Sequence, residues 1–326
     1  AFAQVSESIA FAFIAGVGPL LGLHAGWIVG IILACFASRP GMISGATGVR
    51  AAVLRPYVVQ YGLSHLFYIV FCISFFQTLL GIFKLAKLVR LVPRPCMIGF
   101  VNGLAVILFL GQIPQFNQAC YYVQDPDIFR PLPSACNVTG TNTTMPQSVL
   151  LQSNEIGLMF IHIVLVFVIV KLSPLVPKIG KYIPASLVGI LISTAVEWFI
   201  IRPLGGRTPI IGEVGRVSGG LPLPFWLDPQ YFGIIAPFNW ETISVCIFPG
   251  FIAAGAGAVE AVMTMEEVND RTETENEAPN QYLFALSLGN AIAALYGTIG
   301  GGANIPMSVL ALEAGANGRF RIRLVN

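Results

Sequence analysis

Apolar residues fall into about ten long runs, at roughly 2–17, 21–37, 48–60, 64–83, 97–112, 154–172, 183–201, 243–264, 281–297 and 305–316. Eight of them have about the length an α-helix needs to cross a bilayer. The runs at 48–60 and 305–316 are too short to cross alone. Each follows a glycine-rich break: Arg39-Pro-Gly-Met-Ile-Ser-Gly-Ala-Thr-Gly48 before the first, Gly297-Thr-Ile-Gly-Gly-Gly-Ala-Asn-Ile-Pro306 before the second. Inside a bilayer, non-helical backbone survives only where protein buries it or a cavity lines it. The pattern predicts two half-helices, each preceded by a short extended segment. Paired breaks of this kind predict internal repeats with a binding site near the membrane midplane.

The polar positions set the connections. Residues 113–153 are rich in Pro, Asn and Thr and read as an exposed loop. Residues 203–242 carry many Gly and Pro and four aromatic residues from Phe225 to Phe232, and read as a cover on the outer face. With the first run passing from inside to outside, inner connections hold Arg39, Lys84, Lys87, Arg90, Arg94, Lys171, Lys178, Lys181 and Arg271, and outer ones Arg130, Arg202, Arg207 and Arg216. That excess fixes the orientation. It places Cys120 and Cys136 outside, where a disulfide can form, beside the sequons at Asn137 and Asn142. These are glycosylation acceptors in a eukaryotic secretory setting and chance matches otherwise. The acidic stretch from Glu266 to Glu277 reads as a solvated inner loop. Cys35, Cys72, Cys96 and Cys246 read as packing residues.

Composition agrees. Hydrophobic residues make up 55% and charged residues 10%, which excludes a soluble globular or disordered chain. The formal net charge of +2 comes without a basic patch, so nucleic acid is not a partner; the lipid bilayer is. Ala1 opens inside an apolar run without a charged leader and reads as a trimmed start, not a signal peptide. No nucleophile–base pair, nucleotide motif or metal-ligand spacing stands out, so the chain is read as no enzyme, and His24, His65 and His162 are scattered.

The breaks carry the chemistry. A half-helix starting mid-membrane presents unpaired N–H groups and the positive end of its dipole, which suits a small inorganic anion. Ser44, Gly45, Ala46, Thr47 and Gly48 frame the first such end; Ala303 and Asn304 frame the second, and Pro306 fits a first helical turn. The plainer alternative is that these small residues only let helices pack closely. Glu260 is an intramembrane carboxylate, which costs about 2.5–3.5 kcal/mol on insertion scales. Thr264, four residues on, shares its helical face. Together they suit a sodium ion, the one cofactor considered, or a proton; alternatively Glu260 reaches water at the inner edge. Arg50 lies three residues beyond Thr47 and either adds positive charge to the anion pocket or pairs with Glu260. Arg55, beside Pro56, is expected to reach outward.

In order along the chain, Glu7-Ser-Ile-Ala-Phe-Ala-Phe13 with Ala15-Gly-Val-Gly-Pro19, the Arg39–Gly48 stretch, Leu88-Val-Arg-Leu-Val-Pro93 with Gly99-Phe-Val-Asn-Gly-Leu-Ala105, Glu260–Thr264, and Gly300-Gly-Gly-Ala-Asn-Ile-Pro-Met-Ser308 resemble motifs of the SulP anion transporters. That resemblance implies an all-α polytopic membrane protein of seven plus seven inverted segments, divided into core and gate domains. Core helices 1–4 and helix 5, the start of the gate, would occupy 1–112, an outer loop 113–153, gate helices 6 and 7 154–202, a second outer loop 203–242, and second-repeat core helices 8–10 243–326. The second repeat would be incomplete and a STAS domain absent. Beyond Ala314 the chain departs from the family pattern and reads as a fragment, a truncated gene model or a degenerate paralogue.

The resemblance further implies that Phe11 lines the anion site, that Glu7 sits where relatives carry Gln or Glu, and that Glu260 matches a cation site of sodium-dependent bicarbonate members. It also implies elevator-like secondary transport of sulfate or bicarbonate, in a plasma membrane or bacterial inner membrane, by a homodimer when full length. A nucleobase permease of related fold is disfavoured by its different motifs. A non-transporting partner subunit or motor-like anion-binding protein is the alternative of another class.

Overall fold

The computed structural model describes residues 2–85, 94–118, 149–150, 153–172, 185–206, 208, 211, 222–227, 235–272 and 278–313. Cys120, Cys136, Asn137 and Asn142 lie outside the described residues. The elements are α1 (Phe2–Ala15), α2 (Pro19–Phe36), β1 (Ile43–Gly45), α3 (Gly48–Tyr61), α4 (Leu66–Ile82), α5 (Arg94–Leu110), β2 (Asn117–Gln118), β3 (Val149–Leu150), α6 (Ser153–Leu172), α7 (Ala185–Val196), α8 (Trp240–Thr272), α9 (Pro279–Leu295), β4 (Gly302–Asn304) and α10 (Ile305–Glu313). Each hydrophobic run therefore carries a helix. Among the described residues, four stretches are long and apolar enough to cross a membrane: Pro19–Phe36, Gly48–Ile82, Asn154–Leu172 and Trp240–Thr272.

One expectation fails. The acidic stretch after Glu260 does not leave the helix at residue 264; α8 continues through Thr272 and takes in Glu266, Glu267, Asp270 and Arg271. Arg271 explains the extension. Its guanidinium pairs with Glu267 one turn earlier at 2.7 Å and with Glu313 at 3.2 Å, so these charges support helix instead of breaking it. A second correction concerns the cysteines. Cys246 is buried and Cys72 half-buried, but Cys35 and Cys96 are exposed, because they stand on the outward sides of apolar helices.

The chain divides into two compact units, residues 3–109 with 218–326 and residues 110–217. In the first, α9 packs on α4 and α2, and α8 packs on α4 and α3. Small residues on α8, among them Gly250, Ala253, Ala254, Gly257, Ala258 and Ala261, are buried and let the backbones approach. Large apolar side chains such as Phe71, Phe75, Phe248 and Phe251 point outward, as a lipid-facing surface requires. In the second unit α6 packs on α7, with Gly189 against Val166 and Val170.

A two-stranded ribbon lies inside the first unit. β1 and β4 pair antiparallel, with Ile43 opposite Asn304, Ser44 opposite Ala303 and Gly45 opposite Gly302. All six residues are buried. Pairing satisfies backbone groups that an isolated break in an apolar interior would leave unpaired. Because the strands are antiparallel and each runs straight into a helix, α3 and α10 leave from opposite ends. Both N-termini therefore point back at the ribbon.

Candidate functional site

Side chains from three helices hold the ribbon in place. Gln4 on α1 donates its amide to the Ser44 carbonyl at 2.9 Å, and the Ser44 hydroxyl meets the Tyr282 hydroxyl of α9 at 2.7 Å. The Ile43 N–H donates to Ser308 Oγ of α10 at 2.9 Å. Just before β4, Gly300 adopts φ +69°, which glycine reaches without a steric penalty, and turns the chain into the strand. The next N–H, of Gly301, donates to Asn290 Oδ1 at 2.8 Å. Asn290 in turn donates to Gln77 Oε1 at 2.8 Å, so α4 and α9 are tied to the strand through one amide pair.

The two helix ends differ in their free donors. Thr47 occupies the N-cap of α3 in extended conformation but makes no cap hydrogen bond. The first-turn N–H groups of Gly48, Val49 and Arg50 are thus left unsatisfied by the helix. At α10 the cap is closed: Asn304 Oδ1 accepts from the Met307 N–H at 3.1 Å, and Pro306 has no N–H to offer. Asn304 also donates Nδ2–H to Glu7 Oε2 at 2.8 Å. Phe11 stands at the open end, since a methyl on Gly48 would lie 3.1 Å from its ring and 2.8 Å from Leu108.

A second polar cluster lies around β4. A methyl on Gly302 would sit 3.1 Å from Glu260 Oε2 and 3.3 Å from Thr47 Oγ1, so carboxylate, hydroxyl and strand backbone converge there. Glu260 Oε2 and Thr47 Oγ1 are buried and make no hydrogen bond. Thr264 shares the face as its spacing predicts; its hydroxyl donates to the Glu260 carbonyl at 2.7 Å, leaving oxygen lone pairs free. The oxygens that meet beside Gly302 are thus one carboxylate oxygen of Glu260 and the Thr47 hydroxyl.

Arg50 is fully buried, and none of its three guanidinium nitrogens has a hydrogen-bond partner. Its Nη1 would meet a methyl on Gly300 at 3.1 Å, and its Nη2 one on Gly257 at 3.4 Å, beside the unpaired Gln77 Nε2. The side chain thus reaches toward α8 and the β4 turn, whereas Gly48, two residues earlier, contacts Phe11 and Leu108. Arg50 lies close to Gly300, in the turn before β4, and Glu260 close to Gly302, its first residue, and no hydrogen bond joins the two side chains. Arg55 is half-buried, and its Nη1 donates to the Ile14 carbonyl at 2.9 Å, an acceptor in the last turn of α1.

The structure brings together Phe11, Ser44, Gly45, Ala46, Thr47, Gly48, Arg50, Glu260, Thr264, Ala303 and Asn304 around one ribbon. Gln4, Gln77, Tyr282, Asn290 and Gly302 belong to the same cluster and were missed. Their signal was present as lone amides inside apolar runs, Gln77 in Phe75-Phe-Gln-Thr78 and Asn290 in Leu288-Gly-Asn-Ala291, which an interior must satisfy.

A helical membrane protein whose interrupted helices meet on a buried antiparallel ribbon is the class this fold defines. The chain belongs to the Sulfate permease family, whose model matches residues 1–322. That is a family of permeases, not of enzymes, and the chain is an integral membrane protein of a plasma or bacterial inner membrane. It is 31% identical over 321 residues to the putative sulfate transporter YbaR of Bacillus subtilis (strain 168), covering 98% of this chain and 56% of YbaR. It is 24% identical over 318 residues to the bicarbonate transporter BicA of Picosynechococcus sp., covering 94% of this chain and 51% of BicA. The chain spans about half the length of these relatives. Among solved structures, its fold matches the transmembrane domain of a cyanobacterial BicA with a TM-score of 0.72 at 22% identity, over 99% of this chain and 77% of that one. Murine Slc26a9 in the inward-facing state matches with a TM-score of 0.66 at 15% identity, over 99% of this chain and 53% of that one.

Proposed function

We propose that this chain forms the anion-binding part of a secondary transporter for a small inorganic oxyanion, sulfate or bicarbonate. The observation that carries the reading is the uncapped N-terminus of α3 on the buried ribbon. Three unsatisfied N–H groups and the helix dipole favour a negative charge there, and Phe11 and Leu108 exclude water from it. The names of the relatives support the class of substrate, since they are a putative sulfate transporter and a bicarbonate transporter.

Coupling falls to Glu260 in this reading. With Thr47 and Thr264 it offers oxygen ligands for sodium, or a carboxylate for a proton, close to the anion end of α3. Occupying that position with a positive charge stabilises an anion at the helix end, and the reverse follows by linkage. All the site residues belong to one of the two compact units, which supports an elevator-like step in which that unit carries the site. Full-length protein acts as a homodimer in the same reading, on the resemblance to the family alone.

The test is equilibrium binding of radiolabelled sulfate and bicarbonate to the purified chain, with and without sodium and across pH. Saturable binding of one anion, strengthened by sodium or by acid, supports the reading. No binding of either anion overturns it. Flux is then measured on full-length protein in proteoliposomes; binding without flux assigns the protein to the non-transporting, anion-binding class.

A further inference from the structure

The unit made of residues 110–217 contains a polar cluster that the anion site does not use. Glu197 is 3% exposed on a helix that is otherwise apolar. It opens a widened turn, Glu197–Ile201, in which the Arg202 N–H donates to the Glu197 carbonyl five residues back at 3.0 Å. Such π turns are rare and often mark functional positions. In an α-helix, residues five apart diverge around the axis; the wider turn brings the side chains of Glu197 and Arg202 together. Arg202 Nε then donates to Glu197 Oε1 at 3.2 Å, and the Thr208 N–H donates to the same oxygen at 3.1 Å. Trp198 holds the guanidinium from below, 4.6 Å from ring to carbon.

The other oxygen, Oε2, is buried and accepts nothing. Opposite it, at 3.8 Å, stands His162 Nε2 of α6, also buried and without a partner. The second ring nitrogen, Nδ1, lies 3.1 Å from the Leu158 carbonyl and can only be its donor. In the neutral ring this fixes the tautomer and leaves a lone pair on Nε2. Two lone pairs therefore face each other across 3.8 Å in a water-poor contact. Only a positive charge between them turns the contact attractive, and the neighbouring Arg202 disfavours a metal dication there. Other charged groups on these helices are Glu155, seven residues before His162 on α6, whose Oε2 is buried and unpaired, and the exposed Lys171, nine residues after it.

We propose that His162 and Glu197 form a proton-operated latch between α6 and the π turn, Glu197–Ile201, that follows α7. Protonation puts a hydrogen on Nε2, and the imidazolium closes on Glu197 Oε2 as an ion pair while Arg202 and Thr208 hold the other oxygen. Deprotonation restores the opposed lone pairs and loosens the two helices. The attraction thus belongs to the protonated ring alone, and the two helices are held together more tightly in that state. This latch lies outside the anion site and stands or falls separately from its assignment.

The experiment is thermal unfolding of the detergent-purified chain at a series of pH values from about 8 to about 5.5, for wild type, His162→Gln and Glu197→Gln, with His24→Gln and His65→Gln as controls. Wild type and both controls gain a few degrees, about 2–4 °C, on acidification that His162→Gln and Glu197→Gln do not gain. An unchanged pH response in His162→Gln overturns the latch. Hydrogen exchange of wild type alone keeps the test valid where a variant fails to fold. Corrected for the intrinsic effect of pH, the amides of residues 197–206 exchange several-fold more slowly at acidic pH, and equal corrected rates at both ends of the range overturn the proposal.

Discussion

Asn304 gives its amide N–H to Glu7 at 2.8 Å while its carbonyl oxygen caps α10 through Met307. One side chain thereby closes the N-terminus of α10 and ties α1 to the ribbon. Asn304→Ala will remove both bonds and destabilise the fold by about 1 kcal/mol or somewhat more. Asn304→Asp will keep the cap but set a carboxylate against Glu7, and will weaken anion binding more than the alanine change does. Thermal unfolding and anion titration of the two variants separate the effects. Equal anion affinity in wild type and Asn304→Asp argues against a site at these helix ends.

Arg50 of α3 and Glu260 of α8 are buried opposite charges beside Gly300 and Gly302, with no hydrogen bond between them. Removing one leaves the other uncompensated, at a cost on the order of 3–5 kcal/mol. Arg50→Met alone will therefore unfold at markedly lower temperature, and Arg50→Met with Glu260→Gln will recover much of the loss. A double-mutant cycle on unfolding temperature measures this, and strictly additive losses would show that the two charges do not sense each other.

Gly302 has room for its hydrogen and little else. In Gly302→Ala the new methyl would lie 3.1 Å from both Glu260 Oε2 and Thr47 Cγ2. Uptake by full-length protein carrying this change will lose its dependence on sodium or proton gradients, as will Glu260→Gln. Gradient dependence equal to wild type in both variants removes Glu260 from the coupling role.

Arg55 is a structural counter-case. Its bond to the Ile14 carbonyl stabilises the end of α1 and lies away from the ribbon. Arg55→Met will cost about 1 kcal/mol of stability and leave anion affinity unchanged, read by the same titration.

Helix positions were legible because apolar runs of bilayer length have few other ways to satisfy their backbone. The two interrupted segments were legible for the same reason, since glycine-rich chain between such runs needs a partner strand. The strand register was not, because three-residue strands carry no alternation to read. Nor was the difference between the helix ends: Thr47 and Asn304 are both good cap residues by type, and only the structure distinguishes the closed cap from the open one. Arg50 was placed near Thr47 by spacing, but its reach toward Gly257 and Gly300 depends on contacts more than 200 residues away. The continuation of α8 was missed because an acidic run reads as loop until Arg271 is seen to pair with Glu267.

The central claim is that an anion sits on the unsatisfied N–H groups at the start of α3. Hydrogen exchange at those amides, with sulfate, bicarbonate or gluconate as the anion, tests it most directly. Sulfate or bicarbonate will slow exchange at Gly48, Val49 and Arg50 several-fold relative to gluconate, with a smaller effect at Met307, whose N–H is already held by Asn304. Exchange at Gly48–Arg50 that is the same in all three anions, while the chain is folded and the anions are saturating, would contradict the account.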